Sequence, residues 1–276
     1  MSFLLAARKL TRFAGICRAA TKEARQLADA SLLARAQWSN RWGLEIMDCL
    51  DLSSRVYAEP PKHGLLVCNH LSYLDVLVLA AAQPLVFVCK EEVRSWPVIG
   101  TLTRGGGTIY INRQQKSDVS RVTEAFKTVI EAGVVCCVFP EGTSSDGSSV
   151  LPFRSSLFQS AVEHDWPVTP AWLGYKMPEG SVEQDVCYWG DMTFGPHFLK
   201  LLSRSRISAT LAYGQPLQGI GCRKKLSLLS RNQVIGLKDQ YAGAAISTEN
   251  SMSETQLESL STWPQGAFLS QIDKTA

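Results

Sequence analysis

The chain has 276 residues, 45% of them hydrophobic and 19% charged, a make-up that supports a sizeable core and excludes collagen-like, disordered and disulfide-stapled proteins. Lys plus Arg number 28 against 25 Asp plus Glu, and a net charge of +3 is too small to indicate a nucleic-acid partner. The charge is segregated: residues 1–50 carry 8 basic and 4 acidic side chains, whereas residues 246–276 set Lys274 against Glu249, Glu254, Glu258 and Asp273.

At the start, Phe3, Ala6, Ala7, Leu10, Phe13, Ala14 and Cys17 recur at helical spacing, with Arg8, Lys9 and Arg12 together on another face. That pattern fits a helix lying in a lipid interface and equally a helix packed on its own domain. A second helical stretch over 21–50 places Trp38, Trp42 and Ile46 at successive fourth positions, where the two tryptophans suit either an interface or a core. Basic residues follow the short apolar start instead of preceding it, unlike a signal peptide. The longest uncharged apolar run, Val76 to Cys89, has fourteen residues and is broken by Gln83-Pro84, short of the roughly 20 that a spanning helix needs. The eight cysteines form no C-x-x-C pair and sit mostly in apolar runs, as buried thiols in a reducing compartment do.

From Gly64 onward, short apolar segments alternate with helical ones. Strands are expected at 65–68, 85–89, 108–111, 134–139, 168–173 and 207–213, with helices at 73–82, 91–101, 118–131 and 154–163, and a last helix at 223–241. Such alternation predicts an α/β fold: a largely parallel sheet flanked by helices, preceded here by the amphipathic helical region. The resulting organisation is a membrane-association region at 1–55, an α/β domain at 56–243 and a disordered tail at 244–276, whose last thirty residues hold ten Ser or Thr.

Reactive groups in this architecture collect beyond the carboxyl ends of the strands. After the first strand comes Asn69-His70-Leu71-Ser72-Tyr73-Leu74-Asp75. Residues five apart on one helix point away from each other, but Ser72 and Asp75 have capping-box spacing. A helix starting at Ser72 would leave His70 in the preceding turn, free to fold back on the Asp75 carboxylate, which would fix its tautomer. The alternative is that Asp75 only caps the helix. After the fourth strand, Phe139-Pro140-Glu141-Gly142-Thr143-Ser144 offers a carboxylate, a glycine for close approach and hydroxyls and amides able to hold a phosphate or oxyanion; a plain turn is the alternative. Gly105-Gly106-Gly107 leads into a strand that delivers Arg113, a side chain suited to phosphate or, as easily, to solvent. The sequence holds no G-x-S-x-G, G-x-x-x-x-G-K-[ST], H-E-x-x-H or G-x-G-x-x-G after the first strand.

In this order Asn69-His70-x4-Asp75, Gly107 to Arg113, Phe139 to Thr143 and Val168-Thr169-Pro170 resemble the four blocks of the glycerolipid acyltransferase family, most closely bacterial 1-acyl-sn-glycerol-3-phosphate acyltransferases. The run Lys90 to Val93 with Trp96-Pro97-Val98-Ile99-Gly100 is also similar. The resemblance spans about residues 60–215 and implies acyl transfer from a thioester to a lysolipid hydroxyl, first of all that of 1-acyl-sn-glycerol-3-phosphate to give phosphatidic acid, without an acyl-enzyme or a cofactor. The donor would be acyl-CoA or acyl carrier protein. It implies His70 as general base, Asp75 as its orienting partner, and Arg113, Glu141, Gly142 and Thr143 as holders of the acceptor head group, with no metal. Trp96 to Ile99 would line an acyl pocket or pack in the core. It further implies peripheral attachment through the N-terminal helices to the cytoplasmic face of the cell membrane. Two departures stand out: Ser144 replaces an arginine common after Glu-Gly-Thr, and Phe153-Arg154-Ser155-Ser156 replaces Phe-Lys-x-Gly. The lost cation brings lyso-ornithine lipid forward as an alternative acceptor, and Tyr188-Trp189-Gly190-Asp191-Met192 resembles part of such a subgroup. A non-catalytic lipid-binding module and a thioesterase are the rivals of other classes.

Overall fold

The computed structural model describes residues 2–111 and 118–243. Helix α1 (Ser2–Ala24) and helix α2 (Leu32–Leu50) open the chain. The single helix expected over 21–50 is interrupted because the Ser31 hydroxyl accepts from the Ala34 amide at 3.2 Å and starts α2 afresh. Asp51, in the left-handed region at φ 57°, ends it.

The face of α1 differs from a purely lipid-facing one. Phe13 packs on Phe198 with ring centroids 4.9 Å apart, and Ala20 and Ala24 bury against Trp38. Lys9, expected on the exposed basic face, is buried and donates to the Leu50 and Arg204 carbonyls, each at 2.6 Å. Trp42 is half-buried and bonds Glu23 at 3.0 Å, so both tryptophans serve the packing of the two helices. Phe3, Leu4 and Leu10 remain exposed.

The rest alternates in the order β1 (Leu52–Tyr57), β2 (Leu65–Cys68), α3 (Leu74–Ala82), β3 (Leu85–Lys90), α4 (Ile99–Gly105), β4 (Ile109–Ile111), α5 (Asp118–Glu131) and β5 (Val135–Val138). Then come α6 (Gln159–Glu163), β6 (Val168–Lys176), α7 (Val182–Asp185), α8 (Phe194–Leu202), β7 (Ile207–Tyr213) and α9 (Arg223–Tyr241). The seven strands lie in the order β1-β7-β6-β2-β5-β3-β4, and every neighbouring pair is parallel except β6 with β7. The central strands are buried on both faces, which is why they read as unbroken apolar runs. In β2, Leu66 and Cys68 enter the core on one side and Leu65 and Val67 the core on the other; Cys137 and Cys136 of β5 divide in the same way. All eight cysteines are free; Cys222 is exposed and Cys89 half-buried, the others buried.

Strand β1 has no counterpart in the sequence expectation. Its polar Ser53-Ser54-Arg55 segment fits a sheet edge, where only Leu52 is buried. The boundary placed at residue 55 therefore falls inside a strand, and Met1–Gly243 packs as one unit. The expected helix over 91–101 also splits, into a 3₁₀ turn at Glu91–Ser95 and α4, because Pro97 disfavours helical backbone at Trp96, whose ψ is 134°. The segment expected at 154–163 begins as a 3₁₀ turn, Ser155–Phe158. The tail at 244–276 lies outside the described residues.

Candidate active site

Strands β2, β5 and β3 run parallel side by side, so the turns that follow β2 and β5 emerge at one end of the sheet. The first turn carries His70. Its Nδ1 lies 2.8 Å from Asp75 Oδ2, and that same oxygen accepts from the Leu71 and Ser72 amides at 2.7 and 3.0 Å. The expected capping box is thus half made: Asp75 reaches back to the Ser72 amide, while the Ser72 hydroxyl has no partner and α3 begins at Leu74.

Asp75 has no exposed side-chain surface, whereas His70 keeps 22%. A buried carboxylate needs its lone pairs filled, and here Oδ1 takes the fourth donor, the Tyr175 hydroxyl of β6, at 2.7 Å. A carboxylate that accepts three donors at Oδ2 fixes the hydrogen of the neutral imidazole on Nδ1, leaving the Nε2 lone pair free. The imidazole stacks on the Phe139 ring at 4.1 Å and 16°, which sets its plane. Asn69 clips β2 to β6 by exchanging hydrogen bonds with the Leu173 backbone at 2.9 and 2.8 Å, and the Ser145 amide donates to the His70 carbonyl at 3.0 Å. His70 is therefore held from the ring side, the backbone side and the carboxylate side.

The turn after β5 brings Glu141 beside this pair. Glu141 is 4% exposed, and neither carboxylate oxygen makes a hydrogen bond. Burial pushes its pKa up to about 8, with the nearby His70 and Leu151 amides pulling it back only in part. Gly142, at φ 77°, is buried and its amide closes the turn on the Phe139 carbonyl at 3.1 Å, so that amide is engaged in the fold. Thr143 is exposed. Ser144, in place of the arginine, donates its hydroxyl to the Tyr188 carbonyl and ties this turn to the segment before α8. Arg113 lies outside the described residues. Trp96 and Val98 belong to neither the core nor a closed pocket; both are exposed.

The structure thus brings His70, Asp75 and the Glu141-Gly142-Thr143 turn to one end of the sheet. Sequence reasoning missed Tyr175. The alternation of β6 puts it on the face of Ala171 and Leu173, but nothing in the sequence links that face to Asp75. It also missed the neighbouring aromatic wall, in which Tyr73 donates to His197 Nδ1 at 2.9 Å while His197 Nε2 donates to the Cys187 carbonyl at 2.9 Å.

These features define an α/β protein with a carboxylate-oriented histidine at the carboxyl edge of a mostly parallel sheet. The chain belongs to the acyltransferase family, whose pattern it matches over residues 53–174. It is 38% identical over 165 residues to a lyso-ornithine lipid O-acyltransferase of Rhodobacter capsulatus, covering 58% of this chain and 59% of that one. It is 35% identical over 136 residues to a 1-acyl-sn-glycerol-3-phosphate acyltransferase of Neisseria meningitidis, covering 48% and 53%. With a lyso-ornithine lipid O-acyltransferase of Pseudomonas aeruginosa it shares 32% over 198 residues, covering 71% and 76%. The match thus spans between half and three-fifths of the Rhodobacter and Neisseria relatives' lengths. The fold is similar to the crystal structure of the 1-acyl-sn-glycerophosphate acyltransferase PlsC from Thermotoga maritima, with a TM-score of 0.65 at 16% identity over 87% of this chain and 96% of that one.

Proposed function

We propose that the chain transfers an acyl group from an acyl thioester to a lysolipid hydroxyl, with His70 as general base. The observation that carries this reading is the pair itself: Asp75 holds Nδ1 at 2.8 Å, leaving Nε2 unengaged on a side chain that keeps 22% of its surface exposed. Nε2 takes the hydroxyl proton as the oxygen attacks the thioester carbonyl. The tetrahedral adduct then expels the thiolate, which recovers the proton from the imidazolium, and Asp75 stays ionised throughout. Among the described residues no Ser, Thr or Cys side chain is bonded to the imidazole, in keeping with direct transfer. Glu141, whose two buried oxygens make no hydrogen bond, would contact the acceptor head group, a role it would share with Thr143 and, from the sequence, Arg113. The donor would be acyl-CoA or acyl carrier protein.

Two acceptors have named relatives, and Ser144 bears on the choice. Its hydroxyl is engaged with Tyr188 and adds no positive charge to the turn. That favours lyso-ornithine lipid over 1-acyl-sn-glycerol-3-phosphate, whose phosphate gains most from a cation there. Attachment would be peripheral, on the cytoplasmic face, through the exposed Phe3, Leu4 and Leu10 with neighbouring Arg8 and Arg18; no described helix is long and apolar enough to cross a membrane. The test offers the purified protein labelled acyl-CoA and acyl carrier protein with both acceptors side by side, together with His70→Ala. Diacyl product from the parent and little from the variant is expected; equal rates would sink the reading. Free fatty acid released without acceptor would instead indicate a thioesterase.

A further inference from the structure

Trp96 and Val98 are 45% and 47% exposed, and each residue from Arg94 to Val98 is open to solvent. Val98 also sits at φ 62° and ψ −61°, in a turn closed by the Ile99 amide on the Pro97 carbonyl at 2.6 Å. A β-branched residue rarely adopts that conformation, and the fold persists in it only where surrounding structure over-determines it.

The bracing is visible. The Gly100 amide donates to the Trp96 carbonyl at 2.9 Å, and a Cβ on Gly100 would stand 2.2 Å from the Arg94 carbonyl oxygen. Arg104 Nη1 donates to that same oxygen at 2.7 Å, and Thr103 Oγ1 bonds the Tyr110 hydroxyl at 2.7 Å. Behind the turn, α4 is seated on the N-terminal helices: a Cβ on Gly105 would lie 2.7 Å from Ala24 Cβ, and Arg35 Nε donates to the Gly105 carbonyl at 3.1 Å. The segment is a braced knuckle that holds apolar side chains outward.

Its place matters as much as its shape. The knuckle follows β3, which runs parallel to β2 and is separated from it by β5 alone, so it leaves the sheet at the end that carries His70, and the ends of the two strands are about 10 Å apart across two strand spacings. The rings of Phe87, Phe139 and His70 line up across that edge at 6.3 and 4.1 Å. We infer that Trp96-Pro97-Val98 is a lipid-insertion knuckle that docks the His70 end of the sheet on a bilayer. The inference rests on the proposed reading of a lipid acceptor, which must reach this edge from a membrane. It extends that reading from the N-terminal helices to a second, rigidly connected contact. Tryptophan beside aliphatic side chains is suited to the boundary between head groups and acyl chains.

The test floats the full-length protein with vesicles of phosphatidylethanolamine and phosphatidylglycerol and compares it with the double variant Trp96→Ser, Val98→Ser. Removing two apolar side chains from the lipid phase lowers partitioning about tenfold or more. Leu228→Ser, which removes an exposed leucine on α9, leaves it unchanged, and melting curves report that each variant is folded. The inference is overturned if the double variant floats like the parent, if Leu228→Ser lowers flotation equally, or if the parent itself stays with the soluble fraction. In the first case a protein partner becomes the reading for the knuckle. Transfer to detergent-dispersed acceptor, measured on the same parent preparation, judges the enzymatic reading separately: a parent that floats but transfers nothing loses the chemistry and keeps the knuckle.

Discussion

The Tyr175 hydroxyl donates to Asp75 Oδ1 at 2.7 Å, joining β6 to the first turn of α3 across 100 residues of chain. It fills the one carboxylate oxygen that His70 does not use. Burial, and then the Asp75 charge, raise the Tyr175 pKa well above the ordinary phenol value, so the hydroxyl keeps its proton and remains a donor. Tyr175→Phe keeps the ring in the core and deletes only that donor. A hydrogen bond to a charged group contributes about 1.5–3 kcal/mol, and partial loss of His70 orientation lowers kcat about tenfold with KM little changed. Steady-state kinetics check this, and in a His70→Ala background the substitution should cost nothing further. A wild-type kcat in Tyr175→Phe would reduce Tyr175 to packing.

Asp75→Asn is expected to be the more damaging change. The carboxylate receives four donors, three of them at Oδ2, and an amide must turn its NH₂ toward either Tyr175 or the group formed by His70, Leu71 and Ser72. One buried donor then faces another, at a cost of about 2 kcal/mol or more in folding stability. Activity falls by about 10²-fold or more, since the imidazole loses the partner that selects its tautomer. Thermal melting and transfer assays on the same sample separate the two losses. A variant as stable as the parent would show that the carboxylate is not committed to this network.

Much of the central sheet was legible because its strands are buried on both faces, so β2 and β5 read directly as apolar runs close to their observed limits. The His70–Asp75 pair was legible for a different reason: its geometry is local, and a turn followed by a helix start is written in Ser72 and Asp75. What stayed hidden depends on distant neighbours. Strand β1 is polar and acquires its structure from pairing with β7, over 150 residues later. Lys9 looked like a surface cation and is instead a cap for the Leu50 and Arg204 carbonyls. Tyr175 met Asp75 only once β6 was laid beside β2. The expected helix over 91–101 failed for a local reason that was visible, Pro97, whose effect on Trp96 outweighed the periodicity.

Lys9 offers a test of how firmly α1 belongs to the domain. Its ammonium sits against two carbonyls at helix ends, where the dipoles favour a cation, and burial lowers its pKa against the pull of Asp51. Lys9→Met preserves the apolar stem and leaves both carbonyls without this donor. The loss is about 2 kcal/mol, or roughly 5 °C in melting temperature. Vesicle binding by the folded variant is expected to match the parent, because this cation is not on the surface. Weaker binding without any loss of stability would place Lys9 at the lipid instead.

Glu141 makes stability depend on pH in a direction opposite to that of a salt-bridged carboxylate. Its folded pKa of about 8 lies above the ordinary 4.5, chiefly through burial, so the folded chain retains a proton that the unfolded chain releases. The folded state is penalised progressively as pH rises from about 4.5 toward 8, and the penalty is complete above that window. Glu141→Gln keeps the shape and removes the charge. Its melting temperature should match the parent near pH 4.5 and exceed it by about 3 °C or more at pH 8. Above about pH 8, where the parent carries the carboxylate, the same variant should raise KM for the acceptor, because a group that only accepts becomes an amide that brings its own donors to the turn. Melting curves taken from pH 5 to 8.5, beside acceptor titrations, read both effects. A difference that does not change with pH would mean that Glu141 is solvated in the folded protein, and a KM equal to the parent's would remove it from the acceptor site.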